Sequence, residues 1–273
     1  NAKRYNLGAK DSSKNDYHGV LRKTFSPSDL TNNNLWLDGA DTSTITHSSN
    51  AVSQWSDKSG NNYHATAPSG AEPTTGSANI NGKNVLTWAS GKRMNRSTPT
   101  SANWQDVYVV AQWTGGSSFS SSSHPGIFGG SINAGGQEGA VLNSSSGNTM
   151  WTGWINNRYL NGSLINGGTI LMPTMASPFL LSFSSDNAVS ATGYSVGQDR
   201  GINSREFRGH FAEIIAFNSK LPNATRQKVE GYLAHKWGLV GNLPNSHPYK
   251  QSISKQPKIA ISSIGTNSAT VSA

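Results

Sequence analysis

The acidic side chains decide first which reactions this chain could catalyse, and it has 14 of them. Glycoside hydrolysis needs two carboxyl groups placed on the two sides of the scissile bond. The closest contenders are Glu206 and Glu213, and an odd separation along a strand puts two side chains on opposite faces. We therefore interpret both glutamates as non-catalytic.

Other catalytic chemistries would rely on histidine, tyrosine or serine. A polysaccharide lyase needs a base such as His or Tyr beside a cation that neutralises a uronate. His124, Tyr159, His210 and Arg158 supply these residue types, but no lyase motif surrounds them. The seven histidines show no metal-binding spacing such as HExxH, and no serine lies in a nucleophile elbow. The sequence predicts a protein that is not an enzyme, with polysaccharide degradation as an alternative.

An aromatic cluster offers binding chemistry instead. Residues 151–159 contain two Trp, one Tyr, one Arg and two Asn around a predicted hairpin. Sugar rings stack on aromatic faces while their hydroxyls pair with polar side chains. Trp151 and Trp154 point to opposite faces of a strand, so at least one should lie away from the core. The predicted ligand-binding residues are Trp151, Trp154, Asn157, Arg158, Tyr159, Asp199 and Arg200. An ordinary solvated hairpin remains the other interpretation.

Three aspartates could bind calcium, because Ca²⁺ takes carboxylate and carbonyl oxygens. The candidate donors are Asp38, Asp41 and Asp57, although no complete calcium-loop motif is present. The same loop can be fixed without a metal, since Gly60 permits a left-handed turn and Asp57 can accept nearby backbone N–H groups. With no cysteine, the chain has neither a disulfide nor a thiolate metal site.

Composition narrows the class of protein and of partner. The 273 residues are 34% hydrophobic and only 13% charged, with 29 Gly, which describes many polar turns between short strands. The net charge of +8 suits an anionic partner such as an acidic glycan or a lipid headgroup. Basic residues are scattered, without the stripe that tracks a phosphate backbone, so we predict no nucleic-acid binding. No run of 18 apolar residues occurs, so we predict no membrane insertion.

Short β-branched and aromatic runs between Gly, Asn and Ser clusters predict an antiparallel β-sandwich. The clearest predicted strands are residues 84–88, 106–113, 149–155, 178–183 and 211–217.

One helix is predicted, over residues 223–237. Val229, Leu233 and Trp237 recur every four residues and form one apolar stripe that should pack on the sandwich. Asn223 is the expected N-cap and Gly238 the expected stop.

Two segment pairs carry a family resemblance. The first is Leu-Trp-Leu-Asp-Gly-Ala-Asp at residues 35–41, followed by residues 52–65; the second is residues 209–218, leading into residues 232–239. They resemble signatures of bacterial and phage laminin-G-like jelly rolls, in the concanavalin A-like lectin/glucanase superfamily. The resemblance implies an all-β antiparallel jelly-roll sandwich with one C-terminal flanking helix, and a structural acid at Glu213. That superfamily includes lectins, adhesion modules, virion proteins and glycan-degrading enzymes, so fold does not choose among them.

The expected organisation is a basic N-terminal arm or linker (1–24), the jelly roll (25–250), and a linker with the start of a following β-domain (251–273). The expected function is a non-catalytic carbohydrate-binding or adhesion module of a larger modular protein that is secreted or lies on a cell or virion surface. Its partners would be a glycan or cell-surface polysaccharide and neighbouring domains or subunits. The alternatives are a structural subunit of a virion or cell-surface assembly, and a polysaccharide-degrading enzyme.

Overall fold

The structure is a computed structural model. It describes residues 25–96, 102–117, 124–129, 139–143, 148–151, 155–166, 169–191, 193–199, 202, 205–250, 260–265 and 268–272. The predicted arm (1–24) and linker (251–259), together with Trp154 and Arg200, lie outside these residues.

Two antiparallel sheets and one helix near the C-terminus make up the fold, which confirms the predicted all-β sandwich with one flanking helix. The first sheet has seven strands in the order β14–β13–β15–β9–β17–β1, and β7 also pairs with β17. Its strands are β1 (Asn33–Asp38), β7 (Leu86–Trp88), β9 (Ala102–Trp113), β13 (Asn157–Leu160), β14 (Ser163–Ile165), β15 (Phe179–Ala191) and β17 (Gly209–Phe217).

The second sheet has eight strands in the order β12–β11–β10–β16–β8–β4–β3–β2. Its strands are β2 (Ile45–Ser48), β3 (Ala51–Trp55), β4 (Ala65–Thr66), β8 (Met94–Arg96), β10 (Gly126–Gly129), β11 (Gly139–Asn143), β12 (Thr149–Trp151) and β16 (Tyr194–Val196). Two further hairpins complete the described strands: β5 (Asn79–Ile80) with β6 (Lys83–Asn84), and β18 (Ala260–Gly265) with β19 (Ser268–Ser272).

The first sheet is covered on both faces, because its strands alternate between two apolar clusters. Leu35, Leu37 and Val109 contribute to the cluster between the two sheets. Trp36 and Val110 lie on the opposite face and pack with the helix. We call the first face the inner face and the second the helix face. Trp36, Trp55, Trp88 and Trp237 are all buried, as the sequence predicted.

Helix α1 (Asn223–Trp237) has the predicted bounds. Val229, Leu233 and Trp237 are buried against the helix face, so the predicted stripe is confirmed. Gly238 ends the helix with a left-handed φ of 73°.

The predicted N-cap was wrong. Pro222 is the N-cap, because its carbonyl already accepts the backbone N–H groups of Thr225 and Arg226. The side chain of Asn223 instead accepts a hydrogen bond from Nη2 of Arg226 at 2.6 Å.

Short 3-10 helices connect several strands, at Pro27–Asp29, Thr42–Thr44, Thr174–Ala176 and Val240–Asn242. Among the described residues, no helix is both long and apolar enough to cross a membrane.

Candidate functional site

The aromatic cluster joins the two sheets. Strand β12 is an edge of the second sheet, whereas β13 belongs to the first sheet, beside its edge strand β14. The chain therefore passes from the second sheet to the first between Trp151 and Asn157. We call residues 152–156 the crossover segment, of which residues 152–154 lie outside the described structure. The hairpin predicted around residues 151–159 was wrong, because β12 pairs with β11 and β13 pairs with β14 and β15.

The actual hairpin lies one step further along the chain. Asn161 and Gly162 connect β13 to β14 with φ angles of 51° and 79°. An Asn-Gly pair with both residues left-handed is the preferred two-residue hairpin turn. This dipeptide was the sequence signal that could have located the hairpin.

The predicted binding residues of β13 lie on different faces of the sheet. Arg158 is paired with Phe183 and so points to the inner face, whereas Tyr159 is paired with Ser182 on the helix face. The ring of Tyr159 is covered by the guanidinium of Arg226, 3.7 Å from its centroid. Asn157 shares the face of Tyr159 by alternation. The structure therefore does not bring Arg158 and Tyr159 into one site.

Arg158 is a partly buried cation that has no ion-pair partner among the described residues. Its Nε and Nη1 atoms are out of contact with solvent, and neither has a hydrogen-bond partner within the described structure. Burial lowers the pKa of Arg158, with no charged neighbour contributing. The structure therefore leaves two N–H donors of this guanidinium without an acceptor among the described residues.

Two other predicted ligand-binding residues, Asp199 and Trp151, lie in the second-sheet half of the fold. Asp199 is 4% exposed, and its carboxylate forms an ion pair with Nη1 of Arg205 at 2.6 Å. Trp151 ends β12 and precedes the crossover segment.

The three candidate calcium ligands are engaged with protein groups. The carboxylate of Asp38 forms ion pairs with Nζ of Lys58 at 2.9 Å and with Nζ of Lys236 at 2.7 Å. The carboxylate of Asp41 forms an ion pair with Nζ of Lys58 at 2.7 Å. Lys58, through its hydrogen bond, lowers the pKa of Asp41.

Asp57 fixes its own loop instead. Its two oxygens accept the backbone N–H groups of Trp36, Ser59 and Tyr63 and the hydroxyl of Ser59, at 2.7 to 3.0 Å. Over the part of the chain that the structure describes, no group of three or more His, Asp or Glu side chains is arranged to hold a metal ion. The contacts fit the metal-free interpretation of this loop.

Glu213 is the centre of a buried ionic cluster on the helix face. It is 0% exposed and accepts hydrogen bonds from Trp36 Nε1 at 2.8 Å, Trp237 Nε1 at 2.7 Å and Tyr232 Oη at 3.0 Å. Lys236 lies 2.7 Å from its second oxygen. Burial raises the pKa of Glu213, which Lys236 opposes. Sequence reasoning missed this cluster, although it placed a structural acid at Glu213.

The structure also places the other residues that the sequence offered for catalysis. Glu206 is 6% exposed, and its backbone forms isolated β-bridges with Gly126 and Gln198. His210 is half-buried on the first sheet, with Nδ1 3.0 Å from the hydroxyl of Thr87, and burial lowers its pKa. His124 lies two residues before the start of β10.

A second buried cluster lies beneath α1. Glu230 is 0% exposed and contacts Arg226 at 2.6 Å, Ser182 Oγ at 2.5 Å and His247 Nε2 at 3.2 Å. Because Arg226 also covers Tyr159, this cluster holds the helix-face half of β13 in place.

Asp106, on β9, should make stability depend on pH. Burial raises the pKa of Asp106 from its ordinary 3.8 to about 6, despite the hydrogen bond from the Leu221 N–H. The folded protein therefore binds this proton more tightly than the unfolded chain, so the stabilising contribution is complete below about pH 4 and is lost as the pH rises to about 6. The shift corresponds to about 3 kcal/mol.

Asp106→Asn removes that titration. Relative to this variant, the wild-type chain should lose about 3 kcal/mol between pH 4 and pH 7 in urea unfolding. Parallel stability curves for the two proteins across this range would contradict the prediction.

The chain was also compared with known proteins. No family model matches it, and no curated protein is significantly similar to it.

Proposed function

We propose that this chain is a non-catalytic carbohydrate-binding or adhesion module, on a laminin-G-like jelly roll, within a larger modular protein of the extracellular or virion surface. One observation carries the proposal: the chain passes from β12, an edge of the second sheet, to β13 of the first sheet, where the Nε and Nη1 atoms of Arg158 have no partner in the described structure. Buried donors of this kind are rare in folded proteins, and a bound ligand is one way to satisfy them.

In this proposal the site is formed by Arg158 together with Trp151 and Trp154, which the sequence places a few residues before it, and Tyr159 has a supporting role. Tyr159 lies under Arg226, so it supports β13, and Asp199 is paired with Arg205. A sugar ring is bound by stacking on an aromatic ring and by hydrogen bonds to its hydroxyls. A Trp side chain can supply the stacking surface, and a guanidinium can donate the hydrogen bonds.

A glycan-array screen of the full 273-residue chain tests this proposal, with and without a calcium chelator. We expect saturable binding to at least one glycan, and a loss of about tenfold or more in Trp154→Ala, because stacking of an aromatic ring on a ligand ring contributes about 1–3 kcal/mol. The variant's thermal unfolding shows whether it is still folded. Binding that disappears with the chelator would indicate a metal site beyond the described residues.

The alternative of a structural subunit has one observation in its favour. Leu164, on edge strand β14, and Ile170 are 67% and 65% exposed. Exposed apolar side chains on a sheet edge favour contact with another chain. A folded chain that binds no glycan, and whose concentration-dependent association is abolished by Leu164→Lys, would replace our proposal with this alternative.

A further inference from the structure

The buried acid Glu213 and the carboxylate of Asp38 hold one amine between them. Nζ of Lys236 lies 2.7 Å from Oε2 of Glu213 and 2.7 Å from Oδ1 of Asp38. The two acids lie side by side on neighbouring strands, because Asp38 of β1 is paired with Glu213 of β17. The side chains of Glu213, Asp38 and Lys236 are 0%, 6% and 15% exposed. An amine, a carboxyl group and a second acid are therefore held together in a site that is largely closed to water.

Aromatic side chains enclose the three groups. The indoles of Trp36 and Trp237 donate to Glu213, and the ring centroid of Tyr232 lies 5.6 Å from Nζ of Lys236. Charges removed from water are costly, and their mutual attraction repays that cost only in part. Joining the amine and a carboxyl group as a neutral amide would remove both charges from these surroundings.

We propose that Lys236 and Asp38 become joined by an isopeptide bond, an amide between Nζ of Lys236 and Cγ of Asp38. The ion pair between them is the arrangement from which the bond forms. An amine 2.7 Å from Oδ1 lies within about 4 Å of the carboxyl carbon, and groups poised to react are about 3–3.5 Å apart. Groups held in this way react as if each were at a very high concentration.

Glu213 carries the protons of the reaction. It takes one proton from the ammonium of Lys236, which leaves a neutral amine, and burial raises the pKa of Glu213, which suits it to hold that proton. The amine's lone pair attacks Cγ of Asp38, and Nζ of Lys58, 2.9 Å from Oδ2, stabilises the negative charge that develops there. A second proton leaves the nitrogen through Glu213, which delivers the two protons in turn to Oδ1. The carbonyl re-forms at Oδ2 as Oδ1 departs, so one ammonium and one carboxylate become one amide and one water.

The bond ties the beginning of the sandwich to its end. Asp38 ends β1, the first strand that the structure describes, and Lys236 lies in the last turn of α1, which follows β17. Tension applied between residues 25 and 250 would therefore pass through the bond, and the strands between Asp38 and Lys236 would not be pulled apart. Such strength suits a module that attaches its parent to a surface, but the bond itself does not depend on the proposed function.

The intact mass of the purified full chain tests the proposal. We expect this mass to be lower than that of the sequence by one water molecule. Trypsin should then release a branched peptide in which residues 24–58 are joined to residues 229–250, because an acylated Lys236 is no longer a cleavage site. Fragmentation of this peptide in the mass spectrometer should place the link between Asp38 and Lys236.

Three variants assign the roles. Lys236→Arg keeps the positive charge but offers a guanidinium, which stays protonated and is a poor nucleophile, so it should have the full sequence mass. Glu213→Gln keeps the shape of the side chain and removes the proton carrier, so we expect most of this chain to have the full mass. Lys228→Arg alters an exposed lysine of the same helix and is the matched control, which should keep the loss of water.

A wild-type chain with the full sequence mass, or a digest without the branched peptide, would overturn the proposal. The digest is needed because Asp38 precedes Gly39, and a cyclic imide at this pair also loses one water. Loss of water that persists in Lys236→Arg would indicate that imide and contradict the cross-link. A branched peptide that forms equally in Glu213→Gln would overturn the role of Glu213. The wild-type mass and digest decide the proposal even if a variant does not fold.

Discussion

Replacing Glu213 with alanine is expected to lower the free energy of unfolding by about 3–5 kcal/mol, because it removes the fully buried partner of an ion pair and leaves Lys236 with Asp38 as its remaining counter-ion among the described residues. The indole N–H groups of Trp36 and Trp237 lose their acceptor in the same change. The cluster connects β17, β1 and α1, so the loss should appear as one cooperative shift of the unfolding curve in urea or guanidinium.

Two variants calibrate this expectation. Glu213→Gln keeps an acceptor of the same shape for the indole groups and should cost less than Glu213→Ala. Glu72→Ala removes a partly exposed carboxylate and should stay within about 0.5 kcal/mol of wild type. If the free energy of unfolding of Glu213→Ala is less than about 1 kcal/mol below that of the wild type, the cluster does not hold the helix to the sheet.

The second large effect is expected from Gly197→Ala, at the end of β16. Gly197 has a φ of 77°, and an added Cβ would lie 2.3 Å from Nε1 of Trp88, which is 1% exposed. The left-handed backbone costs a non-glycine residue about 1–2 kcal/mol. Displacing a packed indole adds about 1–3 kcal/mol. We therefore expect a total loss of about 2–5 kcal/mol.

Gly70→Ala is the matched control for this substitution. Gly70 has nearly the same φ, 81°, but an added Cβ meets nothing within 4 Å. It should lose only the backbone contribution of about 1–2 kcal/mol. Guanidinium unfolding of both variants measures the difference, and equal losses would show that Trp88 does not constrain the backbone at Gly197.

The sequence predicted those parts of the fold that depend on local pattern. The strands and the α1 stripe of Val229, Leu233 and Trp237 follow from side-chain periodicity alone. The position of the hairpin also depends on local pattern, because the Asn161-Gly162 pair is the turn and the aromatic run at residues 151–159 precedes it. Strand alternation could likewise have separated Arg158 from Tyr159.

The long-range parts could not be predicted from pattern. Lys236 reaches Asp38 across 198 positions of the chain, and only the packing of α1 on the first sheet brings the two together. Lys58 forms ion pairs with Asp38 and Asp41 because the loop after β3 lies against β1, where the Lys58 N–H donates to the carbonyl of Trp36. A carboxylate's partner depends on tertiary structure, so a calcium site and an ion pair look alike in the sequence.

The most direct test of the proposed function is to map amide chemical shifts of the full chain during titration with the glycan that binds best on the array. If the crossover segment and Arg158 form the binding site, saturable changes in chemical shift will concentrate at residues 151–160. The changes at β2 and β3, on the opposite edge of the second sheet, will stay small. Saturable binding whose shifts avoid residues 151–160, or the absence of any shift from a folded chain, would contradict it.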